Sequence, residues 1–347
     1  MAPSASLYIR ALAFTACIAV AQAASAETTT SEGQHLFAGY VPILWAAVLG
    51  LVLYGAIALY QWFLWFRNGR HKYMLTLTIG MTCMTVGFVL RLAYRNSPYS
   101  LGLYAIQLLF LLLSPCAFLA TDYVLLKHLA QAMGPEVVKS CLFLPISLVV
   151  KLFVWSDVVT FLMQAAGGGL SATDGKGAEI GPKIALIGLV IQLVSFALFT
   201  LLLIVFALRV RSRFPHLDSS SPGFSFAAFN PFSTRLVVDW RILFYVMLLT
   251  CVGIMVRCVF RAIEYAQGYS GYLVTHEVYF YLLDALPLFL SMFLYAWLWP
   301  TRVIDGAAQD SSASLAQGRL AAGVSGASSK RYETGGSEAI GLRLYRE

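Results

Sequence analysis

Seven long apolar segments constrain this chain more than any other feature of its sequence. Each is close to the roughly 20 residues that an α-helix needs to cross the hydrocarbon core of a bilayer. The segments lie at about 41–66, 73–95, 101–124, 141–165, 182–208, 241–263 and 278–299. Hydrophobic residues make up 59% of the chain and charged residues 12%, whereas soluble domains have about 45–50% and 25%. The sequence therefore predicts an all-α membrane protein, a bundle of seven transmembrane helices.

The basic residues between the apolar segments predict how the bundle is oriented. Cytoplasmic connections of membrane proteins carry an excess of Lys and Arg. The basic residues of the first, third and fifth connections are Arg67, Arg70 and Lys72, then Lys127 and Lys139, then Arg209, Arg211, Arg213, Arg235 and Arg241. In the fourth connection, Lys176 and Lys183 are balanced by Asp174 and Glu179. This pattern predicts an N-terminus outside and a C-terminus inside.

The two ends of the chain differ in composition from the membrane domain, which we expect at 41–300. Residues 1–26 have Arg10, a short apolar stretch and Ala24-Ser25-Ala26, a pattern typical of a secretory signal peptide. An uncleaved anchor is the alternative interpretation, and in both cases 27–40 is an extracellular segment. The stretch 301–347 is rich in Ser, Gly, Ala and mixed charge, which predicts a disordered cytoplasmic tail.

Composition also argues against several classes of function. The net charge of +7 does not indicate a nucleic-acid partner, because the basic residues lie in short connections rather than on one polar surface. Five of the six cysteines lie in apolar segments and the five histidines are scattered, so we expect neither a disulfide framework nor a metal site. No phosphate-binding loop is present, since Gly175-Lys176 is followed by Gly177. We therefore expect no enzyme, no cofactor and no ATPase motor.

Polar side chains inside the predicted helices gather towards the outer side of the membrane. They suggest a functional site or buried partners, because unpaired charge in hydrocarbon is costly. As ligand-binding candidates we take Asp157, Asp284, Arg257, Gln164 and Gln107. As a structural charge cluster we take Arg91, Arg261, Glu264, His276 and Glu277. One interpretation is a set of salt bridges that locks the bundle; the other is a polar pocket that grips the headgroup of an amphiphile.

Two acids stand out among these candidates. Asp157 and Asp284 have no basic residue three or four positions away on their own helices, so each needs a partner on another helix. A cationic headgroup is one such partner, because an ammonium strongly prefers a carboxylate once water is excluded. Gln192, in the fifth segment, is expected to hydrogen-bond to a neighbouring helix. Pro115 and Pro287 are expected to kink the third and seventh helices and to free backbone carbonyls, which either line a cavity or are met by neighbouring groups.

The order of these motifs resembles the fungal RTA-like family of lipid-translocating exporters over about residues 40–300. The motifs that carry the resemblance are Tyr40-Val41-Pro42, Gly87-Phe88-Val89-Leu90-Arg91, Gln107 with Ser114-Pro115, Asp157 with 161–165, Gly188 with Gln192, and Arg257 to Asp284. The chain departs from the family pattern at Met84, where a glutamate is usual, and at Trp299-Pro300-Thr301. The resemblance implies seven helices and export of sphingoid long-chain bases or other amphiphiles, linked to stress or drug resistance.

The sequence thus favours an exporter without an ATPase motor, whose partners are a lipid or amphiphile and the bilayer. The resemblance implies a location in the plasma membrane or an endomembrane. The alternative is a seven-helix, receptor-like sensor of lipid or membrane stress, which the predicted topology and the basic connection from Arg209 to Arg241 also fit. An intramembrane hydrolase needs a metal triad or an activated nucleophile, and His276 near one helix end supplies neither.

Overall fold

The computed structural model describes residues 43–96, 100–142, 145–171, 176–215, 236–237, 239–267 and 272–312. Within these ranges the regular structure is helical, and seven helices are long and apolar enough to cross a membrane. They are α1 (Leu44–Arg67), α2 (Leu75–Asn96), α3 (Leu101–Ala132), α4 (Ile146–Ser171), α5 (Lys176–Arg213), α6 (Trp240–Gln267) and α7 (Glu277–Trp297). The predicted seven-helix membrane protein is confirmed. The predicted signal peptide and extracellular segment lie outside the described residues.

Consecutive helices pack against each other, and α7 returns to α1. The Tyr54 hydroxyl of α1 donates a hydrogen bond to the Ala285 carbonyl at 2.6 Å. Two turns further on, the Gln61 side-chain amide donates to the Met292 carbonyl at 3.2 Å. Large apolar side chains such as Leu59 and Leu201 are exposed on the outside of the bundle, as expected for a surface that lipid covers. α3 has the most buried span and packs against α2, α4 and α6.

α3 is longer than its apolar segment. It runs on to Ala132 instead of ending near residue 124. Lys127, His128 and Gln131 end the apolar pattern, but none of these residue types breaks a helix, so the backbone continues. As a result Lys127 lies on a helix rather than in a loop. Asp122 lies about 15 Å inside the Ala132 end of α3, by helical rise.

α7 is not a uniform α-helix. Its first residues, Glu277–Tyr279, form one α-helical turn, Phe280–Ala285 form a π-helix, and Leu286–Trp297 form the remaining α-helix. Pro287 is the second residue after the π-helix and has no N–H to donate to the preceding turn. Wide turns of this kind occur inside α-helices, often at functional sites.

The beginning of the predicted disordered tail is helical instead. Residues 300–312 form a helix, and Val303 and Ile304 of that helix are buried in the core. The Val237 N–H donates to the Arg302 carbonyl at 3.1 Å, and the Ser311 hydroxyl donates to the Ala132 carbonyl at 2.8 Å. The prediction of disorder from residue 301 is therefore wrong for 301–312, because apolar side chains there find a place in the bundle. Residues 313–347 lie outside the described ranges.

Glycines bring α4 and α5 into backbone contact. A Cβ atom added at Gly167 of α4 would lie 2.6 Å from the Gly181 carbonyl oxygen and 2.6 Å from the Ala185 nitrogen of α5. Real Cβ atoms do not approach other atoms that closely, so the two helices meet at a distance that only glycine permits. Small residues at such contacts let membrane helices associate closely.

We expect Gly167→Ala to separate α4 from α5 and to lower the stability of the bundle by about 1–3 kcal/mol, the usual cost of overpacking. Thermal unfolding of the purified protein in detergent measures the effect. Gly169→Ala, on the same helix, is the matched control, because an added Cβ there meets nothing within 4 Å. Equal stability of the Gly167 variant and the parent would contradict the close contact.

Candidate functional site

Six charged side chains gather in the half of the bundle at which α1 begins. We call them the charge cluster: Arg91, Arg257, Arg261, Glu264, Glu277 and Asp284. All except Glu264 are buried. They come from α2, α6 and α7, so the cluster joins parts of the chain that are far apart in sequence.

Glu277, the first residue of α7, binds two other helices. Its Oε1 accepts a hydrogen bond from Arg91 Nη2 of α2 at 2.7 Å. Its Oε2 accepts a hydrogen bond from the backbone N–H of Ile43, directly before α1, at 2.8 Å. Both carboxylate oxygens are thus used inside the protein, and the beginnings of α1 and α7 are fastened to the end of α2.

Asp284, in the π-helix of α7, is held by two arginines of α6. Arg257 Nη1 binds one carboxylate oxygen and Arg261 Nη2 binds the other. Arg261 also pairs with Glu264 one turn further along α6, at 2.9 Å. The expectation that Asp284 has its partner on another helix is confirmed. With an arginine on each of its oxygens, Asp284 is a poor candidate for binding a cationic headgroup.

Arg257 has a second function in α3. Its Nη2 donates a hydrogen bond to the Leu111 carbonyl at 3.2 Å. Leu111 lies four residues before Pro115, which has no N–H, so its carbonyl has no helical donor. The expectation that a neighbour satisfies a carbonyl freed by Pro115 is confirmed. One guanidinium therefore supports both an ionised carboxylate and a break in the helical hydrogen bonds.

Phe280 completes the charge cluster between two of its arginines. The centre of its ring lies 4.4 Å from the Arg91 guanidinium carbon and 5.4 Å from that of Arg261. Both distances are within the range of about 6 Å at which cation–π attraction is significant. The sequence pattern does not predict this role, because Phe280 lies within an apolar segment like many other aromatic residues. The spacing of the charged residues in the sequence gives no sign of a ring between two arginines.

Asp157, near the middle of α4, differs from the acids of the charge cluster. It is buried, and neither of its carboxylate oxygens accepts a hydrogen bond within the part of the chain that the structure describes. It lies beside the Tyr123 hydroxyl of α3, and no basic side chain forms an ion pair with it among the described residues. Of the two acids that the sequence singled out, Asp157 is the one without a cationic partner in this structure.

The glutamines near Asp157 link three helices. Gln164, also on α4, donates a hydrogen bond to Gln192 Oε1 of α5 at 2.7 Å. Gln192 in turn lies 3.7 Å from Cys116 Sγ of α3. The expected interhelical hydrogen bond of Gln192 is confirmed. Gln164 therefore has a structural partner, and it lies on the same buried face of α4 as Asp157.

The two remaining candidates lie in different environments. Gln107 of α3 is buried, and its side-chain oxygen has no hydrogen-bond partner in the described residues. His276 is exposed at the beginning of α7, where its Nδ1 lies 2.9 Å from the Tyr272 carbonyl oxygen. His276 is thus not part of the buried charge cluster in which the sequence analysis grouped it, because it precedes the first turn of α7 and points to the surface.

Another buried acid without a basic partner among the described residues is Asp122 of α3, which the sequence analysis missed. Tyr295 of α7 donates a hydrogen bond to its Oδ1, and Cys251 Sγ of α6 lies 4.0 Å from its Oδ2. The Thr250 hydroxyl lies 3.1 Å from the Tyr295 hydroxyl. The predicted apolar segment ends near residue 124, which places Asp122 close to its boundary. The presence of an acid inside an apolar segment, even near its predicted end, is the signal from which a buried acid could have been predicted.

An apolar cavity of about 430 Å³ opens between α5, α6 and the beginning of α7. Its lining includes Thr200, Cys251, Met255, Val259, Phe260 and Leu283. Phe260 and Leu283 are the sequence neighbours of Arg261 and Asp284, so the cavity adjoins the charge cluster. A volume within the range of about 300–1,000 Å³ is usual for small-molecule sites. We call this cavity the apolar groove.

Comparison with known proteins gives a consistent result. Residues 77–307 match the family model described as RTA1 like protein. In Saccharomyces cerevisiae, Protein RTM1 is 31% identical over 219 residues, which are 63% of this chain and 64% of that protein. Protoporphyrin uptake protein 1 is 27% identical, over 62% and 65% of the two chains. Sphingoid long-chain base transporter RSB1 is 28% identical, over 58% and 57%. The chain thus covers less than two thirds of these relatives, and no solved structure matches it.

We expect Arg257→Ala to destabilise the bundle by about 3–5 kcal/mol, because it removes one partner of a buried ion pair. It also leaves the Leu111 carbonyl without its donor. Arg257→Lys should be intermediate, since an ammonium lacks the planar fork that reaches both groups. The amount of folded protein recovered from membranes, and its thermal unfolding in detergent, measure the loss.

Lys151→Ala is the control for removal of a basic residue, because Lys151 is exposed on α4. It should leave both the amount and the thermal stability of the protein unchanged. If Arg257→Ala behaved like Lys151→Ala, the charge cluster would not support the bundle in the way that its contacts indicate.

Proposed function

Because the chain belongs to the RTA1 like protein family, we propose that it exports sphingoid long-chain bases or related amphiphiles across the membrane in which it lies. The names of two relatives, a sphingoid long-chain base transporter and a protoporphyrin uptake protein, support transport rather than catalysis. Export of such compounds would confer resistance to them. The seven spanning helices make it an integral, multi-pass membrane protein.

The observation that carries this proposal is the environment of Asp157. Its carboxylate is buried, lies near the middle of a membrane helix and has no basic partner among the described residues. An unpaired carboxylate in hydrocarbon is unfavourable, whereas an ammonium group beside it would remove the cost. The other buried acids near the end at which α1 begins already bind arginines, so Asp157 is our candidate for contact with a cationic headgroup.

The apolar groove supports a place for the hydrocarbon chain of the same ligand. Its lining is almost wholly apolar and comes from α5, α6 and α7. Cys258 of α6, which lies three residues after Met255 and directly before Val259 of the groove, is near Asp157. An amphiphile with its headgroup at Asp157 could therefore keep its chain among apolar side chains. Gln107 and Gln164 are the further polar side chains that we propose for contact with the headgroup.

Orientation and location are part of the proposal. The basic connections favour a cytoplasmic face at the end where α1 finishes, with the N-terminus outside and the C-terminus inside. Arg67, Arg70 and Lys72 lie at that end. Export from the cell further requires the plasma membrane, which is the location that we propose.

The orientation predicts which ends of the chain are accessible from outside. An epitope tag inserted after Glu27 should be labelled by antibody on intact cells, whereas a tag after Glu347 should be labelled only after permeabilisation. Labelling of the C-terminal tag on intact cells would reverse the proposed orientation. It would leave the helix contacts described above unchanged.

We expect Asp157→Asn to reduce export of a labelled sphingoid long-chain base severalfold while the amount of protein stays near that of the parent. Asparagine keeps the size of the side chain but removes the negative charge that would attract the ammonium. The measurement is the loss of labelled base from preloaded cells that carry the parent, the variant or no protein.

Two controls sharpen this experiment. Asp239→Asn removes a carboxylate that lies directly before α6 and pairs with Arg241, and it should leave export unchanged. An N-acetylated base, which carries no positive charge, should be moved equally by the parent and by Asp157→Asn. Normal export of the cationic base by Asp157→Asn would show that the carboxylate does not bind the headgroup.

A further inference from the structure

Asp122 is a buried acid that the proposed ligand site does not use. Its exposed fraction is 0%, and it lies about 15 Å from the Ala132 end of α3 by helical rise. The charge cluster lies in the other half of the bundle. Asp122 is therefore too far along the helix to belong to that cluster, and it has hydrogen-bond partners of its own.

The groups around Asp122 are neutral in their ordinary states. Tyr295 comes from α7, Cys251 and Thr250 come from α6, and Tyr123 follows Asp122 on α3. No Arg, Lys or His forms an ion pair with Asp122 in the described part of the chain. The surroundings thus provide hydrogen bonds but no counter-charge.

Such surroundings suit a carboxyl group that gains and loses a proton. Without a counter-charge, burial disfavours the carboxylate relative to the neutral acid. The hydrogen bond donated by Tyr295 stabilises the carboxylate in return, because a charged acceptor strengthens such a bond. Burial thus favours the neutral acid and the Tyr295 hydroxyl favours the carboxylate, so both protonation states are stabilised.

We propose that Asp122 is a proton-binding site that takes up and releases a proton during the transport cycle. Uptake forms an O–H bond on one carboxylate oxygen with a proton from water, and release returns that proton to water. This role rests on the proposed function. The sequence contains no ATPase motif, and a proton gradient would supply the energy for export.

The helix contacts provide a route from the proton to the ligand. Tyr295, which binds Asp122, lies on α7, and the same helix carries Asp284 and the groove residue Leu283. Cys251, on the other side of Asp122, also lines the apolar groove. A change of charge at Asp122 alters the bond to α7 and thereby acts on a wall of the groove.

Infrared difference spectroscopy of the full-length protein in phosphatidylcholine vesicles tests the protonation directly. The C=O band of a protonated carboxyl group is separate from the bands of a carboxylate, and ¹³C-labelled aspartate identifies it. The parent should show an aspartic acid band that disappears reversibly as the pH rises, and Asp122→Asn should lack this band. Asp239→Asn is the control and should keep it.

A second variant tests the site without removing the acid. Tyr295→Phe takes away the donor that stabilises the carboxylate, so the band of the protonated acid should persist to higher pH than in the parent. A band that never changes with pH, or no difference between the parent and Asp122→Asn, would overturn the proposal. So would an unchanged titration in Tyr295→Phe.

Transport of a labelled long-chain base in the same vesicles separates this proposal from the proposed function. An imposed pH difference should accelerate transport by the parent severalfold, and Asp122→Asn should lose that acceleration. If the parent moved no base under any condition, the proposed function would fail, while the infrared titration would still decide whether Asp122 binds a proton. Equal acceleration in both proteins would overturn the coupling.

Discussion

The structure depends on the pairing of buried charge in a medium that cannot solvate it. Arg257 is the clearest case, because its guanidinium binds Asp284 of α7 and the Leu111 carbonyl that Pro115 leaves without a helical donor. A polar group without a partner costs several kcal/mol in hydrocarbon. The positions of α3, α6 and α7 are therefore linked through one side chain, and Glu277 and Arg91 extend the same principle to α1 and α2.

The pairing divides the buried acids into two groups with different capacities. Asp284 binds an arginine on each carboxylate oxygen. Glu277 binds an arginine on one oxygen and a backbone N–H on the other. These two acids therefore hold the bundle together. Asp157 and Asp122 have no basic partner in the described residues, and hydroxyl groups of tyrosines lie beside them. The paired acids Glu277 and Asp284 favour one arrangement of helices. Asp157 and Asp122 are able to exchange one hydrogen-bond partner for another.

Much of the fold follows from the sequence, because an apolar segment of about 20 residues forms a helix as long as the hydrocarbon core of a bilayer is thick. The partner of Asp284 on another helix was also predictable, since its own helix offers no base at the right spacing. The extension of α3 to Ala132 was not, because polar residues end an apolar pattern without ending a helix, and this concealed Asp122. Contacts between helices decide three further features: the exposure of His276, the position of Phe280 between two arginines, and the burial of Val303. The pattern of a single apolar segment carries no information about such contacts.

The glycine contact between α4 and α5 has a consequence for motion. Where Gly167 meets Gly181, the backbones of α4 and α5 touch with no long side chain between them, so the two helices cannot slide past each other there without losing this contact. Alternating access in transporters is largely rocking of one rigid body against another. The apolar groove opens where this pair meets α6. In a transporter that rocks in this way, the groove would widen as α6 moves away from α4 and α5.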